Sequence, residues 1–127
     1  MAAFTVETTA AEAFGPTVRV LAVTGSIDAS ATKALDAAFT AAAKAGALWT
    51  ILNLSHVDYI SSAGLRLLLK FRKDAIAAGG GIKIAGLRRE IRENCFDALG
   101  FSKLIEVCAT VDDALKSIPP AASGTQK

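Results

Sequence analysis

Hydrophobic positions along the chain switch between strand-like and helix-like spacing, and this pattern predicts the order of the elements. Two segments rich in β-branched residues, 4–8 (FTVET) and 17–25 (TVRVLAVTG), predict an opening strand pair joined by a turn at Gly15-Pro16. The run 48–54 (LWTILNL) is apolar on both alternating faces, as in a strand buried on both sides within a sheet that contains parallel pairs. We expect it to be the central strand.

Helices are predicted between and after these strands. The first helix begins at Asp28 or Ser30 and ends at Ala45, because apolar residues recur there at three- and four-residue steps. The remaining elements are a helix at 62–78, a strand at 82–86, a helix at about 88–99, a strand at 104–107 and a helix at 111–118, capped by Thr110 with Asp113. This order predicts an α/β fold, a mixed and mostly parallel sheet with about four helices packed against it.

Length and composition favour one globular domain. The chain has 127 residues, of which 52% are hydrophobic and 20% charged, enough for a single core and incompatible with extensive disorder. We assign residues 1–118 to this domain and expect a flexible C-terminal tail at 119–127. The 14 basic and 12 acidic side chains give a net charge of +2, and neither this charge nor the pattern of aromatic residues indicates nucleic-acid binding.

The hydropathy of the chain also bears on its location. Charged residues such as Arg66 and Lys70 interrupt its most apolar stretch, which stays below the ~20 residues that cross a bilayer. Residues 1–16 lack the positively charged and continuous apolar regions of a secretory signal. We therefore expect no membrane span and a cytoplasmic location.

Motifs of enzymes and metal sites are missing from the sequence. Neither GxxxxGK[ST] nor GxGxxG occurs, and no GxSxG elbow surrounds the serines. His56, the only histidine, lies in the predicted loop after the central strand; it could act as a base for Ser61 or Ser62, but a solvent-facing histidine is the simpler interpretation. Two cysteines and one histidine fall short of a four-ligand zinc site. We expect no enzymatic activity, metal or cofactor.

Two adjacent serines stand where the second helix begins, in DYISSAGLRLLLK, residues 58–70. A serine at the N-cap accepts a hydrogen bond from a free backbone N–H, which accounts for Ser61. Ser62 is then the first helical residue, with its hydroxyl at the positive end of the helix dipole. That position stabilises a phosphoryl group, whose charge is about −1.5 to −2 at neutral pH. We predict Ser62 as a phosphoacceptor and Ser61 as a second candidate.

A basic stripe follows Ser62 along the same helix. Arg66, Lys70 and Lys73 come at steps of four and three residues and share one face. The stripe is either an ordinary solvated face or a surface whose repulsion an anion or an acidic partner relieves. Gly64 weakens the helix by roughly 1 kcal/mol relative to alanine, and it marks the close approach either of a partner or of the chain's own preceding segment.

One stretch of the chain resembles a known family. Residues 51–69, ILNLSHVDYISSAGLRLLL, resemble the signature of STAS domains, above all the bacterial anti-sigma factor antagonists. Residues 24–35, TGSIDASATKAL, resemble the family's segment between a strand and the first helix. The resemblance extends over about residues 4–118 and implies the STAS fold. Alignment of SSAGL with the family's DSSGL implies that Ser62 is the serine that switches the protein.

The resemblance implies a partner-switching function. An unphosphorylated antagonist binds an anti-sigma factor, a serine kinase of the histidine-kinase-like ATPase fold, and thereby frees a sigma factor for transcription. Phosphorylation loosens this complex, and a phosphoserine phosphatase resets it. The family-matched interface residues are Asp28 and Ser62, with Gly64 and Leu65 as packing of the motif. Together with the second serine and the stripe, the predicted partner-binding residues are Asp28, Ser61, Ser62, Gly64, Arg66 and Lys70.

The sequence departs from the family pattern at three positions. Ser61 stands where aspartate is frequent, so it offers a second acceptor and the usual carboxylate beside the phosphoserine is missing. Asn53 also stands where aspartate is frequent, which argues against a charge-dependent role of that strand end. Ser26 replaces a common glutamate, so the affinity for the kinase is expected to differ. An alternative function is that of a STAS scaffold subunit that is never phosphorylated and belongs to a transport or signalling complex. Weak nucleotide binding at the helix terminus is a third hypothesis.

Overall fold

The computed structural model describes residues 4–10, 17–97 and 100–118 of the chain. A five-stranded sheet with its strands in chain order forms the centre of the fold. These strands are β1 (Thr5–Ala10), β2 (Val18–Ile27), β3 (Trp49–Ile60), β4 (Gly81–Ala85) and β5 (Glu106–Cys108). Strand β1 is antiparallel to β2, and the other neighbouring pairs are parallel. The predicted mixed, mostly parallel sheet and its opening antiparallel strand pair are thus confirmed.

Helices connect the strands and follow the last one. They are α1 (Thr32–Lys44), α2 (Ser62–Ala77), α3 (Arg89–Ile91), which continues as a π-helix over Arg92–Asp97, and α4 (Val111–Lys116). A short 3-10 turn covers Phe101–Lys103. None of the helices in the described ranges is long and apolar enough to cross a membrane.

The sheet carries apolar side chains on both faces. On one face, β2, β3 and β4 pack against α1, α2 and the α3 segment, with Phe39 and Phe71 in the centre of this larger core. On the other face, Val18, Val20 and Ile51 pack against Ala114 of α4. The apolar run that predicted a strand covered on both sides is therefore explained by helices on both faces of β3.

The two ends of α1 follow from local interactions. The helix begins at Thr32, later than predicted, because the Asp28 carboxylate accepts hydrogen bonds from the N–H groups of Ser30 and Ala31 and holds that segment in a turn. The chain leaves the helix through Gly46, whose φ of 107° lies in the left-handed region that favours glycine.

The sequence prediction ended the central strand too early. Strand β3 continues beyond residue 54 to Ile60, so His56 lies in a strand and not in a loop. It continues because β2 stays paired with β3 up to the pair Ile27 and Ile60, although β4 ends opposite Asn53. In this part of the strand Val57 and Ile60 are buried in the larger core, whereas His56, Asp58 and Tyr59, which suggested a loop, are exposed.

The prediction for the third helix and the last strand was also wrong in part. Instead of a regular α-helix over 88–99, three α-helical residues are followed by a π-helix. Ile91 and Phe96 are both buried in the larger core, and their spacing of five residues suits a π turn better than an α turn. The last strand starts at Glu106 because the N–H of Leu104 bonds to the carbonyl of Phe101, which keeps that stretch in a turn.

Two sequence predictions lie outside the described residues. One is the turn at Gly15-Pro16, and the other is the C-terminal tail at 119–127.

Candidate functional site

The candidate site is the start of α2, where the chain leaves β3. Ser61 is the N-cap, and its Oγ accepts a hydrogen bond of 3.1 Å from the backbone N–H of Gly64, as the sequence predicted. The N–H of Ser61 donates to the carbonyl of Ile27 at 2.9 Å, which ties the start of the helix to the end of β2. The hydroxyl of Ser61 is therefore half-buried and engaged as an acceptor.

Ser62 differs from its neighbour in exposure and in bonding. It is the first residue of the 16-residue helix α2, and its side chain is exposed. Within the described ranges, its hydroxyl makes no hydrogen bond. It lies at the positive end of the helix dipole, where backbone N–H groups lack intrahelical acceptors. Of the two serines, Ser62 presents the accessible hydroxyl in an environment that stabilises a negative charge.

Gly64 lets α2 approach the end of β2 closely. A Cβ added to Gly64 would lie 2.7 Å from the carbonyl oxygen of Ile27 and 2.8 Å from its Cγ2, closer than side chains pack in real proteins. Gly64 is buried there. Of the two explanations that the sequence left open for this glycine, the contact with the chain's own strand is the one present in the structure.

Asp28 lies at the same edge of the sheet as the two serines, because it follows Ile27, to which Ser61 is bonded. Its Oδ1 accepts hydrogen bonds from Ser30 Oγ at 2.6 Å, from Ser30 N at 3.0 Å and from Ala31 N at 3.2 Å. Several interactions lower the pKa of Asp28 below its usual value of 3.8, and the largest of them is the hydrogen bond from the Ser30 side chain. A negative charge is therefore held beside the start of α2 at neutral pH.

The basic stripe of α2 is partly neutralised within the chain. Lys70 Nζ lies 3.3 Å from Asp36 Oδ1 on α1 and 3.4 Å from Asp74 Oδ2 one turn further along α2. The hydrogen bond with Asp36 is the main cause that raises the pKa of Lys70 above 10.5. The predicted repulsion therefore needs no external anion at Lys70. Arg66 is exposed and forms no ion pair or hydrogen bond with the rest of the described chain.

His56 does not lie at the serines of the helix start. Its Nδ1 is 3.2 Å from Ser55 Oγ, and Ser55 in turn donates to Asn53 Oδ1 at 2.9 Å. His56 is paired in the sheet with Thr24, on the strand segment that precedes the site. The geometry thus favours the solvent-facing histidine over a base for Ser61 or Ser62.

Sequence reasoning missed two residues of this region. Tyr59 is 55% exposed, and Asp58 accepts a hydrogen bond of 2.8 Å from Ser26 Oγ on the neighbouring strand. The assignment of this stretch to a loop concealed both residues, because only the pairing with β2 shows that they share a surface. The available signal was an aromatic residue in a polar stretch just before the two serines.

Comparison with known proteins shows the family to which the chain is similar. A family model described as STAS domain matches residues 10–114. BtrV from Bordetella bronchiseptica, described as an anti-sigma factor antagonist, is 29% identical over 97 residues, which cover 76% of this chain and 83% of BtrV.

Solved structures show the same fold. An anti-sigma factor antagonist from Mycobacterium paratuberculosis matches with a TM-score of 0.78 and 23% identity, over 91% of this chain and 94% of that chain. SpoIIAA of Bacillus matches in its unphosphorylated form with a TM-score of 0.71 and in its phosphorylated form with 0.65. Both forms are 20% identical to this chain and cover 90% of it, over 94% and 97% of their own lengths.

Proposed function

The chain belongs to the STAS domain family, and on this basis we propose that it is an anti-sigma factor antagonist controlled by phosphorylation of Ser62. Its partner is an anti-sigma factor that is also a serine kinase of the histidine-kinase-like ATPase fold, and a phosphoserine phosphatase reverses the modification. The chain acts in the cytoplasm, as a binding protein and not as an enzyme, and does not contact nucleic acid. The descriptions of BtrV and SpoIIAA support this proposal.

The difference between the two serines carries the proposal. Ser61 uses its hydroxyl to cap the helix, whereas the hydroxyl of Ser62 is exposed. A kinase can therefore reach the Ser62 hydroxyl without disturbing a hydrogen bond of the fold, whereas the Ser61 oxygen already accepts the cap hydrogen bond from Gly64 and is half-buried.

The effect of the phosphate depends on whether a partner covers it. On the free chain, the helix N-terminus stabilises a phosphate on Ser62 by dipole and N–H interactions. In a closed interface the same phosphate must lose its water, which costs several kcal/mol per buried ion unless a cation compensates. The ionised Asp28 beside the site adds repulsion. Phosphorylation thus favours the free chain over the complex.

The phosphoacceptor is tested by incubating the chain with ATP and the anti-sigma factor kinase of the same organism, followed by mass spectrometry of the peptides. We expect one phosphate on Ser62, its loss in Ser62→Ala and its retention in Ser61→Ala. The Ser61→Ala variant is the matched control, because it removes an adjacent hydroxyl of the same size. Absence of phosphate from both serines of the wild type would contradict the proposal.

The switch itself is tested by capture of the partner from a native lysate with wild type, Ser62→Ala and Ser62→Asp. A histidine-kinase-like partner retained by the first two and lost by Ser62→Asp is the expected result. A partner that binds all three equally would instead favour the scaffold function, in which the serine is not modified.

A further inference from the structure

The ends of β2 and β3 form a two-stranded ribbon beyond the rest of the sheet. Strand β4 ends at Ala85, opposite Asn53, and β1 begins at Thr5, opposite Thr24, whereas segments 25–27 of β2 and 57–60 of β3 remain paired with each other; we call these two segments the ribbon. Helix α4 packs against Val18, Val20 and Ile51, towards the other end of the same strands. Within the described part of the chain, Asp58 and Tyr59 of the ribbon are exposed, and β3 leads directly into Ser61 and Ser62.

Tyr59 is the large apolar side chain on this face. It is 55% exposed, and in the described part of the chain only Ile76, at 50%, and Leu104, at 46%, are comparable. Ile76 and Leu104 line a separate groove of about 310 Å³ at the other end of α2. Tyrosine combines a rigid apolar ring with a hydroxyl, and it is among the residues that most often carry the binding energy of protein interfaces.

The charges around Tyr59 define the kind of surface that would cover it. Asp58 is exposed, and its carboxylate accepts a hydrogen bond from Ser26, the residue that is paired with Tyr59. Asp28 adds a second negative charge at the end of the ribbon. The ribbon itself contains no lysine or arginine. A complementary surface therefore has an apolar pocket with a cationic side chain at its rim.

We propose that Tyr59 is the apolar anchor of the partner interface and that it inserts into a pocket of the anti-sigma factor, with an arginine or lysine of that partner facing Asp58. This inference rests on the proposed function and extends the binding surface from the start of α2 onto the outer face of the ribbon. Tyr59, at the end of β3, precedes Ser62 by three residues, so a partner that covers the ring also closes over the phosphorylation site. Phosphate on Ser62 then prevents the insertion of Tyr59.

The test measures the affinity of the purified kinase-fold protein that the wild-type chain captures, by calorimetry with wild type, Tyr59→Ala, Tyr59→Phe and Ile76→Ala. We expect Tyr59→Ala to bind about thirtyfold more weakly and Tyr59→Phe to stay within about threefold of the wild type, because the ring is retained. Ile76→Ala, which removes an equally exposed side chain elsewhere, should bind like the wild type. Circular dichroism establishes that each variant is folded.

The outcomes separate this inference from the function on which it rests. If the wild type captures no kinase-fold protein, the proposed function fails and the anchor fails with it. If the wild type binds and Tyr59→Ala binds equally well, or if Ile76→Ala loses as much affinity, only the anchor is overturned. Asp58→Asn provides a second readout, since it should slow association and flatten its dependence on salt if a partner cation faces Asp58.

Discussion

Single residues at the start of α2 have distinct physical tasks. Ser61 provides the cap, Gly64 allows the helix to approach β2, and Ser62 is left with an exposed hydroxyl. Asp28 holds the neighbouring loop with three hydrogen bonds. The modifiable group is thus supported by residues that are themselves engaged in the fold, so its position does not depend on a flexible loop.

The close approach at Gly64 predicts the effect of a single added methyl group. Gly64→Ala should lower the free energy of unfolding by about 2 to 3 kcal/mol, because the new Cβ meets the Ile27 carbonyl and the backbone must shift. Urea unfolding at neutral pH measures the change. Gly79→Ala is the control: its φ of 99° is unfavourable for alanine, but its Cβ would meet no atom within 4 Å, so about 1 kcal/mol is expected. A loss at Gly64 no larger than that at Gly79 would contradict the steric explanation.

At the scale of elements, helices α1 and α2 form one layer over the sheet. Phe39 of α1 stacks on Phe71 of α2 with 4.1 Å between the ring centroids, and Lys70 with Asp36 joins the same two helices on the exposed side. Burial of the two rings contributes far more to this packing than the exposed ion pair, which typically contributes at most about 1 kcal/mol.

The pairing of α1 with α2 predicts the titration of Lys70. Its pKa in the wild type should lie above 10.5, and Asp36→Asn should lower that pKa more than Asp74→Asn, because the bond with Asp36 is the larger cause. The chemical shift of the Lys70 Cε as a function of pH, measured by NMR, reports the pKa directly. An equal effect of the two variants would contradict the assignment to Asp36.

The same shift has a defined consequence for stability. Because the pKa of Lys70 is raised in the folded chain, its stabilising contribution is fully present below pH 10.5 and is lost as the pH rises through the folded pKa. Asp36→Asn should therefore reduce the part of the alkaline loss of stability that comes from Lys70.

At the scale of the whole molecule, the parallel pairing of β2 and β3 brings distant parts of the chain to one edge. Parallel neighbours end on the same side of a sheet, so Asp28 after β2 and Ser61 and Ser62 after β3 become neighbours. The same pairing, continued past β4, creates the ribbon that carries Tyr59. The proposed partner surface is thus a product of the sheet topology.

Stability and partner binding should respond in opposite directions to a charge at Ser62. Ser62→Asp should raise the free energy of unfolding of the free chain by up to about 0.5 kcal/mol relative to Ser62→Asn, because the carboxylate lies at the helix N-terminus. Thermal unfolding at low and high salt measures this gain, which salt should reduce. Ser62→Asn is the matched control, being nearly the same size without the charge. A destabilised Ser62→Asp chain would mean that lost partner binding reflects damage to the fold.

Much of the fold and part of the site could be predicted from the sequence, since the signals concerned are local. Amphipathic spacing located α1 and α2, and the cap role of Ser61 followed from the residue type at a helix start. The residues that were missed, Tyr59 and Asp58, depend on which strand lies alongside them. No local pattern distinguishes a polar loop from a strand segment whose outer face is uncovered.

The amino-acid sequence by itself determined the element order, the two-sided burial of β3 and the N-cap at Ser61, because each depends on residues within one or two turns or one strand. Tertiary structure alone decided the length of β3, the contact that makes Gly64 necessary and the pairing of Lys70 with Asp36. These features join residues that are far apart along the chain. These interactions contribute to stability only once the sheet has brought the interacting residues together. The surface around Tyr59 and Ser62 remains exposed after this packing.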